Sequence, residues 1–316
     1  MTSGRGGDAA PLLRRLPSFT LVQLRYFAAA VEHGSMTAAS RELVVSQSAI
    51  STAIAQLEKE LGVTLVLRHH SRGLALTEAG RAFHAELRPF LAHSQELADV
   101  AMNAGQKLVG DLTVGCFATL APFRLPRILA ASRERYPEVH VHVLEAEHAE
   151  LKRALRAGEC EVALAYGYDL EDDLVATPVG SAPPYVLVAE DHRLAHRSDV
   201  ELRELADDPM VLLDLPHSAD YFVSLFLERG IEPQIRHRSK GFETVRALVA
   251  AGEGFAVLNQ QPAHRLTYAG RSLVTLSIKD RIAPLDVVLV RARGARATRK
   301  AEAFMRLCRD SYRSSE

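Results

Sequence analysis

The spacing of apolar residues changes once along this chain, near Gly110. Before that point apolar residues recur every three or four positions, which predicts amphipathic helices. Beyond it, short runs rich in valine and leucine alternate with helical segments, as is typical of an α/β sheet region. We therefore predict a mainly α-helical N-terminal domain followed by an α/β domain.

Composition narrows the class of protein. With 47% hydrophobic and 24% charged residues, the 316-residue chain is typical of globular proteins, and its net charge of −1 neither favours nor excludes a nucleic-acid partner. No apolar run approaches the ~18 residues that a membrane span needs. The first ten residues lack the apolar core of a secretion signal, and three cysteines cannot all pair within one chain. We expect a reduced, cytoplasmic, nucleoid-associated protein in which residues 1–18 form a disordered arm.

Three short helices are predicted after this arm. The first carries one apolar stripe formed by Leu21, Leu24, Phe27, Ala28 and Val31, and ends near Gly34. Ser35 can cap a second helix, Met36 to Leu43, and Ser46 can cap a third after a turn at Val44 and Val45. In the third helix one face is apolar, with Ile50, Ile54, Leu57 and Leu61.

The other face of the third helix is polar and has little bulk. It consists of Gln47, Ser48, Ser51, Thr52, Ala55, Gln56 and Lys59. Two short helices joined by a tight turn, the second with such a face, form a helix-turn-helix that fits the DNA major groove. The alternative is the solvated face of an ordinary three-helix cluster. Two apolar segments that flank the basic stretch 68–73 then predict a hairpin, or wing, for phosphates or the minor groove.

A long helix is predicted from Thr77 to about Lys107. Its apolar seam follows heptad spacing, with Phe83, Leu87, Phe90, Ser94, Leu97 and Ala101. Such a seam favours pairing with a second helix over packing on its own domain, although Pro89 inside the helix should kink it or remove a hydrogen bond.

The C-terminal region is predicted to hold two α/β halves separated near Gly167. Helices are expected at 124–135 and 243–251. The predicted strands are 112–116, 139–144, 162–166, 186–188, 211–213, 235–238, 255–258 and 273–277. We expect the last of these strands to return to the first half. Ligands of such open sheets bind in a crevice at the carboxyl ends of the strands.

Several segments carry a family likeness. They include Leu24-Arg25-Tyr26-Phe27, Gly34-Ser35-Met36-Thr37-Ala38-Ala39, Ser46-Gln47-Ser48-Ala49-Ile50-Ser51, Leu57-Glu58-Lys59-Glu60-Leu61-Gly62 and Leu76-Thr77-Glu78-Ala79-Gly80. These closely resemble the N-terminal domain of LysR-type transcriptional regulators. The remainder, for example Gly110-Asp111-Leu112-Thr113-Val114-Gly115 and Gly254-Phe255-Ala256-Val257-Leu258, resembles the effector domain of that family.

This resemblance implies a regulator of three parts. They are a winged helix-turn-helix at 19–77, a dimerising linker helix at 78–107 and, at 108–316, a two-lobed effector domain similar to periplasmic solute-binding proteins. Lobe I is expected at about 108–166 and 262–316, and lobe II at about 167–261. The implied partners are an operator in double-stranded DNA, a small-molecule effector, further copies of the chain as a dimer of dimers, and RNA polymerase, with no membrane. Thr52, Val66 and Phe117 depart from residues that are common in the family.

Candidate DNA contacts follow from side-chain chemistry. Gln47 and Ser48 are expected to contact base edges, because an amide can pair with adenine and a hydroxyl adapts to several edges. We expect phosphate contacts from Ser35, Ser51, Arg68 and Arg72, and we place Thr52 on the same DNA-binding face. For Ser46, helix capping alone is the preferred interpretation.

Candidate effector contacts come from both halves of the α/β region. Thr119 and Ser218 each precede a helical stretch, so their hydroxyls and the free N–H groups behind them can hold an anion, or can simply cap the helices. Aromatic walls are expected from Phe117, Tyr166, His217 and Phe242, and further hydrogen bonds from Asn259 and Gln260. The predicted effector is an organic anion with an apolar or aromatic body, and the alternative is a neutral phenol or amide.

No enzymatic activity, metal or cofactor is expected. The pair His140 and His142 lacks a third ligand, and Cys116 is either a redox switch or a small buried apolar residue. The alternative function, a solute-binding protein or enzyme, explains only residues 110–291 and leaves the N-terminal helices without a role.

Overall fold

The computed structural model describes residues 17–69, 73–103 and 107–313. The chain divides into two compact units, residues up to Ser94 and residues from Gln95 onward. The predicted arm at 1–18 therefore lies almost wholly outside the described residues. Within the described ranges, no helix combines the length and the apolar character needed to cross a membrane.

The first unit contains the predicted helices and hairpin. Its elements are α1 (Leu21–Glu32), α2 (Met36–Glu42), α3 (Gln47–Leu61), β1 (Val66–His69), β2 (Gly73–Leu76) and the start of α4 (Glu78–Asn103). The apolar stripes of α1 and α3 meet in one core around Phe27, Ile50 and Ile54, none of which is exposed. The antiparallel pair β1–β2 forms the predicted wing. The helical periodicity thus predicted the helices correctly, and the two apolar segments around the basic stretch predicted the hairpin.

The seam of α4 is divided between two environments. Leu87 is 4% exposed and belongs to the core of the first unit, with Phe83 packed against that core. Phe90 and Leu97 are 52% and 73% exposed. The expectation that Leu87 faces a partner helix is therefore wrong, because its side chain fills the space beside α1 and α3. The exposed part of the seam begins at Phe90.

The second unit contains strands and helices in alternation. Along the chain these are β3 (Gly110–Phe117), α5 (Ala121–Arg135), β4 (Val139–Ala146), α6 (His148–Arg156), β5 (Val162–Tyr166), β6 (Leu174–Ala182), β7 (Tyr185–Ala189), β8 (Asp199–Val200), β9 (Pro209–Leu213), α7 (Ser218–Leu227), β10 (Gln234–Ser239), α8 (Phe242–Ala250), β11 (Ala256–Leu258), β12 (Leu273–Ile278), β13 (Leu285–Ala292) and α9 (Arg299–Arg313). All eight predicted strands are present, whereas β6, β8 and β13 were not predicted.

Two main sheets organise this unit. The first has the strand order β4-β3-β5-β13-β6, with β3 parallel to β4 and β5, and β13 antiparallel to β5 and β6. The second has the order β11-β7-β12-β8, and a parallel pair, β9 and β10, lies beside it. The N–H of Val211 donates to the carbonyl of Phe255 at 2.8 Å, which joins β9 to the second sheet. Both β5 and β7 are buried along their whole length, as their unbroken apolar runs require.

The predicted lobe boundaries need correction. Strand β12 pairs with β7 and β8 in the second sheet, so its expected return to the first half is wrong. Strand β6 lies in the first sheet beside β13, although 167–261 was assigned to lobe II. The chain therefore crosses between sheets at Pro183 and Pro184, and returns between β12 and β13. An apolar run predicts a buried strand but does not identify the strand with which it pairs.

Candidate functional site

The exposed face of α3 carries the residues predicted to contact bases. Gln47, Ser48 and Thr52 are exposed, whereas Ser51 is half-buried. The hydroxyl of Ser46 accepts a hydrogen bond from the N–H of Ala49 at 3.1 Å, so the capping interpretation is confirmed. The hydroxyl oxygens of Ser46 and Ser48 lie 3.0 Å apart. A short, polar and accessible surface therefore begins at the first turn of α3.

The residues predicted to contact phosphate occupy different environments. Ser35 is half-buried, and its hydroxyl accepts a hydrogen bond from the N–H of Ala38 at 3.3 Å, so it caps α2. Arg68 lies in β1, and Arg72 lies outside the described residues. Ser35 thus caps the start of α2, as Ser46 caps the start of α3. The two arginines belong to the sequence of the hairpin.

The wing is attached to α3 by a residue that the sequence analysis did not single out. Glu58 Oε1 accepts hydrogen bonds from the N–H groups of Leu65 and Val66, at 2.7 and 3.0 Å. On the other side, the hydroxyl of Thr77 donates to the carbonyl of Thr64 at 2.7 Å. A Cβ on Gly80 would lie 2.0 Å from the carbonyl oxygen of Leu65, so only glycine permits this approach of α4 to the wing.

Six of the eight predicted effector residues line one cavity between the two sheets of the second unit. They are Thr119, Tyr166, Ser218, Phe242, Asn259 and Gln260. The cavity has a volume of only about 10 Å³, room for about one water molecule. An effector of ordinary size therefore requires the sheets to separate or the lining side chains to move.

Hydrogen bonds close this cavity across the two sheets. The side-chain amide of Gln260 donates to the hydroxyl of Tyr166 at 3.1 Å, and the amide of Asn259 donates to the carbonyl of Ala182 at 2.7 Å. The hydroxyls of Thr119 and Tyr166 are 3.4 Å apart. Burial raises the pKa of Tyr166, which keeps its phenol neutral and available as donor or acceptor. The predicted polar anchors thus hold each other in the closed arrangement.

Phe117 and His217 lie beside the cavity but do not line it. Phe117 is 1% exposed, with its ring centroid 5.4 Å from that of Tyr166, so it supports the cavity wall from behind. His217 precedes α7 with a φ of +62°, and its Nε2 lies 3.1 Å from Asp169 Oδ2. Asp169 follows β5 and also has a positive φ, of +50°. Two residues with positive φ therefore face each other, one in the segment after β5 and the other in the segment after β9.

A cluster around this pair was missed by sequence analysis. Lys152 Nζ is 2.7 Å from Asp169 Oδ2 and 3.1 Å from Glu171 Oε1, and this ion pair lowers the pKa of Asp169. His148 is 2% exposed, and its ring centroid lies 4.4 Å from that of Tyr168, whose hydroxyl lies 3.1 Å from that of Ser218. The helical spacing of His148 and Lys152 on α6 was the available signal, but their partners come from a distant loop.

The cysteines and the histidine pair singled out in the sequence lie in different environments. Cys116, Cys160 and Cys308 are all buried, and burial raises the pKa of Cys116 to about 12. His142 Nε2 lies 2.9 Å from Asp111 Oδ1. Among the described residues, no group of three potential ligands could hold a metal ion.

Comparison with known proteins assigns the family. Residues 21–81 match the family described as a bacterial regulatory helix-turn-helix protein of the lysR family, and residues 105–313 match the LysR substrate binding domain. The chain belongs to the LysR family of transcriptional regulators. The predicted fold class, with its helix-turn-helix and α/β effector-binding domain, is thereby confirmed.

Individual relatives agree with this assignment. This LysR-family chain is 29% identical over 236 residues to the DNA-binding transcriptional dual regulator OxyR of Escherichia coli K12, covering 74% of this chain and 77% of that protein. The crystal structure of HinK, a LysR family regulator from Pseudomonas aeruginosa, is 34% identical with a TM-score of 0.64, covering 93% and 99% of the two chains. Full-length CbnR in complex with its target DNA is 26% identical with a TM-score of 0.56, covering 92% and 99%.

Proposed function

We propose that this LysR-family regulator reads an operator with the exposed face of α3. The observation that carries the proposal is the contrast between the two sides of that helix: Ile50 and Ile54 are fully buried, while Gln47, Ser48 and Thr52 are exposed. A helix fixed on one side and covered with short polar groups on the other can enter the major groove without losing its own packing. The binding of CbnR to its target DNA supports the transfer of this role.

Within this face the residues have different roles. The exposed amide of Gln47 is proposed to pair with adenine, and the hydroxyls of Ser48 and Thr52 to contact neighbouring base edges. The hydroxyls of Ser35 and Ser51, near the starts of α2 and α3, are proposed to hold phosphates together with Arg68 of β1 and with Arg72, which lies outside the described residues.

A randomised half-site library tests these roles. Gln47→Ala should reduce discrimination at one base pair by roughly 1 to 3 kcal/mol, because a bidentate contact is lost. Arg72→Ala should instead weaken binding to all sequences alike and flatten its salt dependence. If Gln47→Ala keeps the wild-type preference at every position, Gln47 does not contact a base.

We further propose that the cavity around Tyr166 and Ser218 is the effector site. Hydroxyl and amide groups from both sheets converge there, and Phe242 adds ring surface. The N–H groups of Ser218, Ala219 and Tyr221 at the start of α7 already donate to backbone carbonyls, so the expected free N–H groups are not available there. An anionic group can instead accept hydrogen bonds from the hydroxyls of Thr119 and Ser218, with His217 beside them. The two sheets can be closed around this cavity or separated. A ligand that binds the separated arrangement more tightly would shift the equilibrium toward it, by no more than the difference between its two binding free energies.

A matched pair of compounds tests the charge of the effector. Phenylacetate and the neutral phenylacetamide differ in one group, and thermal shifts of the full chain measure the binding of each. Phenylacetate should stabilise the wild type more, and a Thr119→Val, Ser218→Ala double variant should lose that difference. Equal stabilisation of the wild type and the double variant by phenylacetate would place binding elsewhere.

Self-association is proposed through the exposed part of α4. Phe90 and Leu97 lie seven positions apart, so they are on one side of the helix, and both are exposed in the single chain. A second copy of α4 is the occupant that this spacing fits, and a dimer would present two α3 helices to half-sites about one helical turn, or a multiple, apart. Assembly as a dimer of dimers and a contact with RNA polymerase stay predictions.

We propose that thiol oxidation is not the signal, although several relatives are named hydrogen peroxide-inducible genes activators. The reactive form of cysteine is the thiolate, and burial raises the pKa of both Cys116 and Cys308 far above neutral pH. Operator affinity should therefore be unchanged by peroxide, and a thiol reagent should react fully only after denaturation. Peroxide-dependent loss of operator binding that a Cys116→Ser variant abolishes would contradict this proposal.

A further inference from the structure

A second and larger cavity lies on another side of the junction between the two sheets. It is an open groove of about 720 Å³, within the size range of small-molecule sites. Its walls come from the first sheet layer, through α5 and β6, and from the second, through β7, β12 and the loop after β11. Its lining side chains include Phe123, Arg124, Asn259, Gln260, Gln261, Thr275 and Ser277. The crossing segment Pro183–Pro184 also lines it.

Arg124 is the anchor that this groove offers. Its guanidinium carbon lies 4.4 Å from the centre of the Tyr312 ring, which fixes the side chain by a cation–π contact. Its Nε is buried and has no hydrogen-bond partner, and in the described part of the chain Arg124 forms no ion pair. The guanidinium lines the groove and no described carboxylate neutralises it, so an anion in the groove can form charge-assisted hydrogen bonds with it.

The remaining lining is neutral and rich in hydrogen-bonding groups. Ser181, Ser198, Thr275 and Ser277 provide hydroxyls, and Gln261 Nε2 lies 3.2 Å from Thr275 Oγ1 at the exposed rim. Among the described lining residues, Arg124 alone carries a charge. One cation surrounded by hydroxyls and amides fits a ligand with one negative charge and several hydroxyl groups.

We infer that this groove is a second ligand site, separate from the cavity around Tyr166, and that it binds a small polyhydroxylated monocarboxylate of the sugar-acid class with its carboxylate on Arg124. The walls of the two cavities are shared, because Asn259 and Gln260 line both. Phe123 of the groove also contacts Phe242 of the cavity, with ring centroids 5.6 Å apart. The two sites are therefore adjacent but have different anchors.

Three compounds separate the contribution of charge from that of the hydroxyls. D-gluconate carries both, sorbitol has the hydroxyls without the charge, and hexanoate has the charge without the hydroxyls. Isothermal titration calorimetry of the full chain should show gluconate binding at millimolar concentration or below, and both other compounds binding about tenfold more weakly or worse. No heat with gluconate at millimolar concentration, or equal binding of sorbitol or hexanoate, would overturn the inference.

Two variants test the location. Arg124→Met keeps an apolar stem over Tyr312 but removes the cation, so it should weaken gluconate binding about tenfold or more. Gln261 is exposed at the rim and does not line the first cavity, so Gln261→Glu should fold normally and repel the carboxylate. The matched control is Gln234→Glu, at an exposed position of β10, which should bind as the wild type does. If Gln261→Glu and Gln234→Glu bind gluconate equally, the groove is not the site.

Discussion

Single residues in this protein hold unusual protonation states because of their surroundings. Burial lowers the pKa of His148 to about 4 from its ordinary value of 6.5, and the nearby charge of Lys152 acts in the same direction. The folded protein thus holds this imidazole neutral, whereas the unfolded chain takes up a proton below pH 6.5. The free energy of unfolding therefore loses nothing to this group above pH 6.5, and it falls as the pH drops from 6.5 toward 4.

This linkage predicts an acid sensitivity that one substitution removes. Between about pH 7 and pH 4.5 the wild type should lose roughly 2 kcal/mol more unfolding free energy than His148→Phe, which keeps the ring contacts with Phe117 and Tyr168. Urea unfolding of both proteins at both pH values measures this difference. The titration of Asp169 and Glu171 largely cancels in the comparison, because both proteins contain these carboxylates. The same acid sensitivity in both proteins would show that His148 is not held neutral.

Val44 is a residue in an unfavourable backbone conformation. The N–H of Val45 donates to the carbonyl of Ser40 and that of Val44 to Arg41, which is the usual helix end with a left-handed residue, here Val44 at φ +53°. A β-branched residue costs about 1–2 kcal/mol there, and Val44 is 89% exposed, so it gains little from packing.

Val44→Asn should therefore stabilise the first unit by about 1 kcal/mol, because asparagine tolerates the left-handed region. The control is the neighbouring Val45→Asn, which should destabilise because Val45 packs against the core. Chemical denaturation followed by circular dichroism measures both. A destabilised Val44→Asn variant would mean that the turn gains from the valine side chain.

At the scale of elements, the wing depends on α3 through one carboxylate. Glu58 accepts two backbone hydrogen bonds from Leu65 and Val66, both of which are buried. Glu58→Ala leaves two donors without partners and should cost about 3 kcal/mol, whereas Glu58→Gln keeps an acceptor and should cost about 1 kcal/mol. Glu60→Ala, at an exposed position of the same helix, should stay within about 0.5 kcal/mol of the wild type.

Urea unfolding of these three variants gives the comparison. Equal losses for Glu58→Ala and Glu60→Ala would show that the wing is held by its apolar contacts alone.

The sequence could not identify Glu58 as an anchor, because a glutamate near the end of a helix is usually solvated. The backbone groups that Glu58 binds come close to it only when β1 folds back on α3.

At the scale of the whole molecule, the exposed part of α4 should determine the oligomeric state. Phe90→Glu with Leu97→Glu would place charges in a helix pair and should produce a smaller species in light scattering. Leu87→Glu is unsuitable as a test, because Leu87 lies in the core of the first unit and its substitution would unfold that unit. Glu86→Lys with Gln95→Lys, both at exposed positions of α4, controls for a general effect of charge changes. Unchanged mass of the glutamate variant would exclude α4 as the contact.

The sequence by itself determined the order and type of most elements. Helical spacing of Leu24 and Phe27 with Ile50 and Ile54 permits burial of only one face, and the unbroken apolar run of β5 requires burial on both sides. These are local constraints, because side-chain direction follows from the backbone period of each element. The polar face of α3 was predictable for the same reason.

Only the tertiary structure decided which elements meet. The pairing of β12 with β7 and of β6 with β13 depends on hydrogen bonds between segments far apart in the chain, and nothing in an apolar run specifies its neighbour. The same holds for Lys152 with Asp169 and for Arg124 with Tyr312, whose positions follow from the assembled sheets. Elements are thus set by local periodicity, whereas the cavity around Tyr166 and the groove at Arg124 exist only because distant segments pack together.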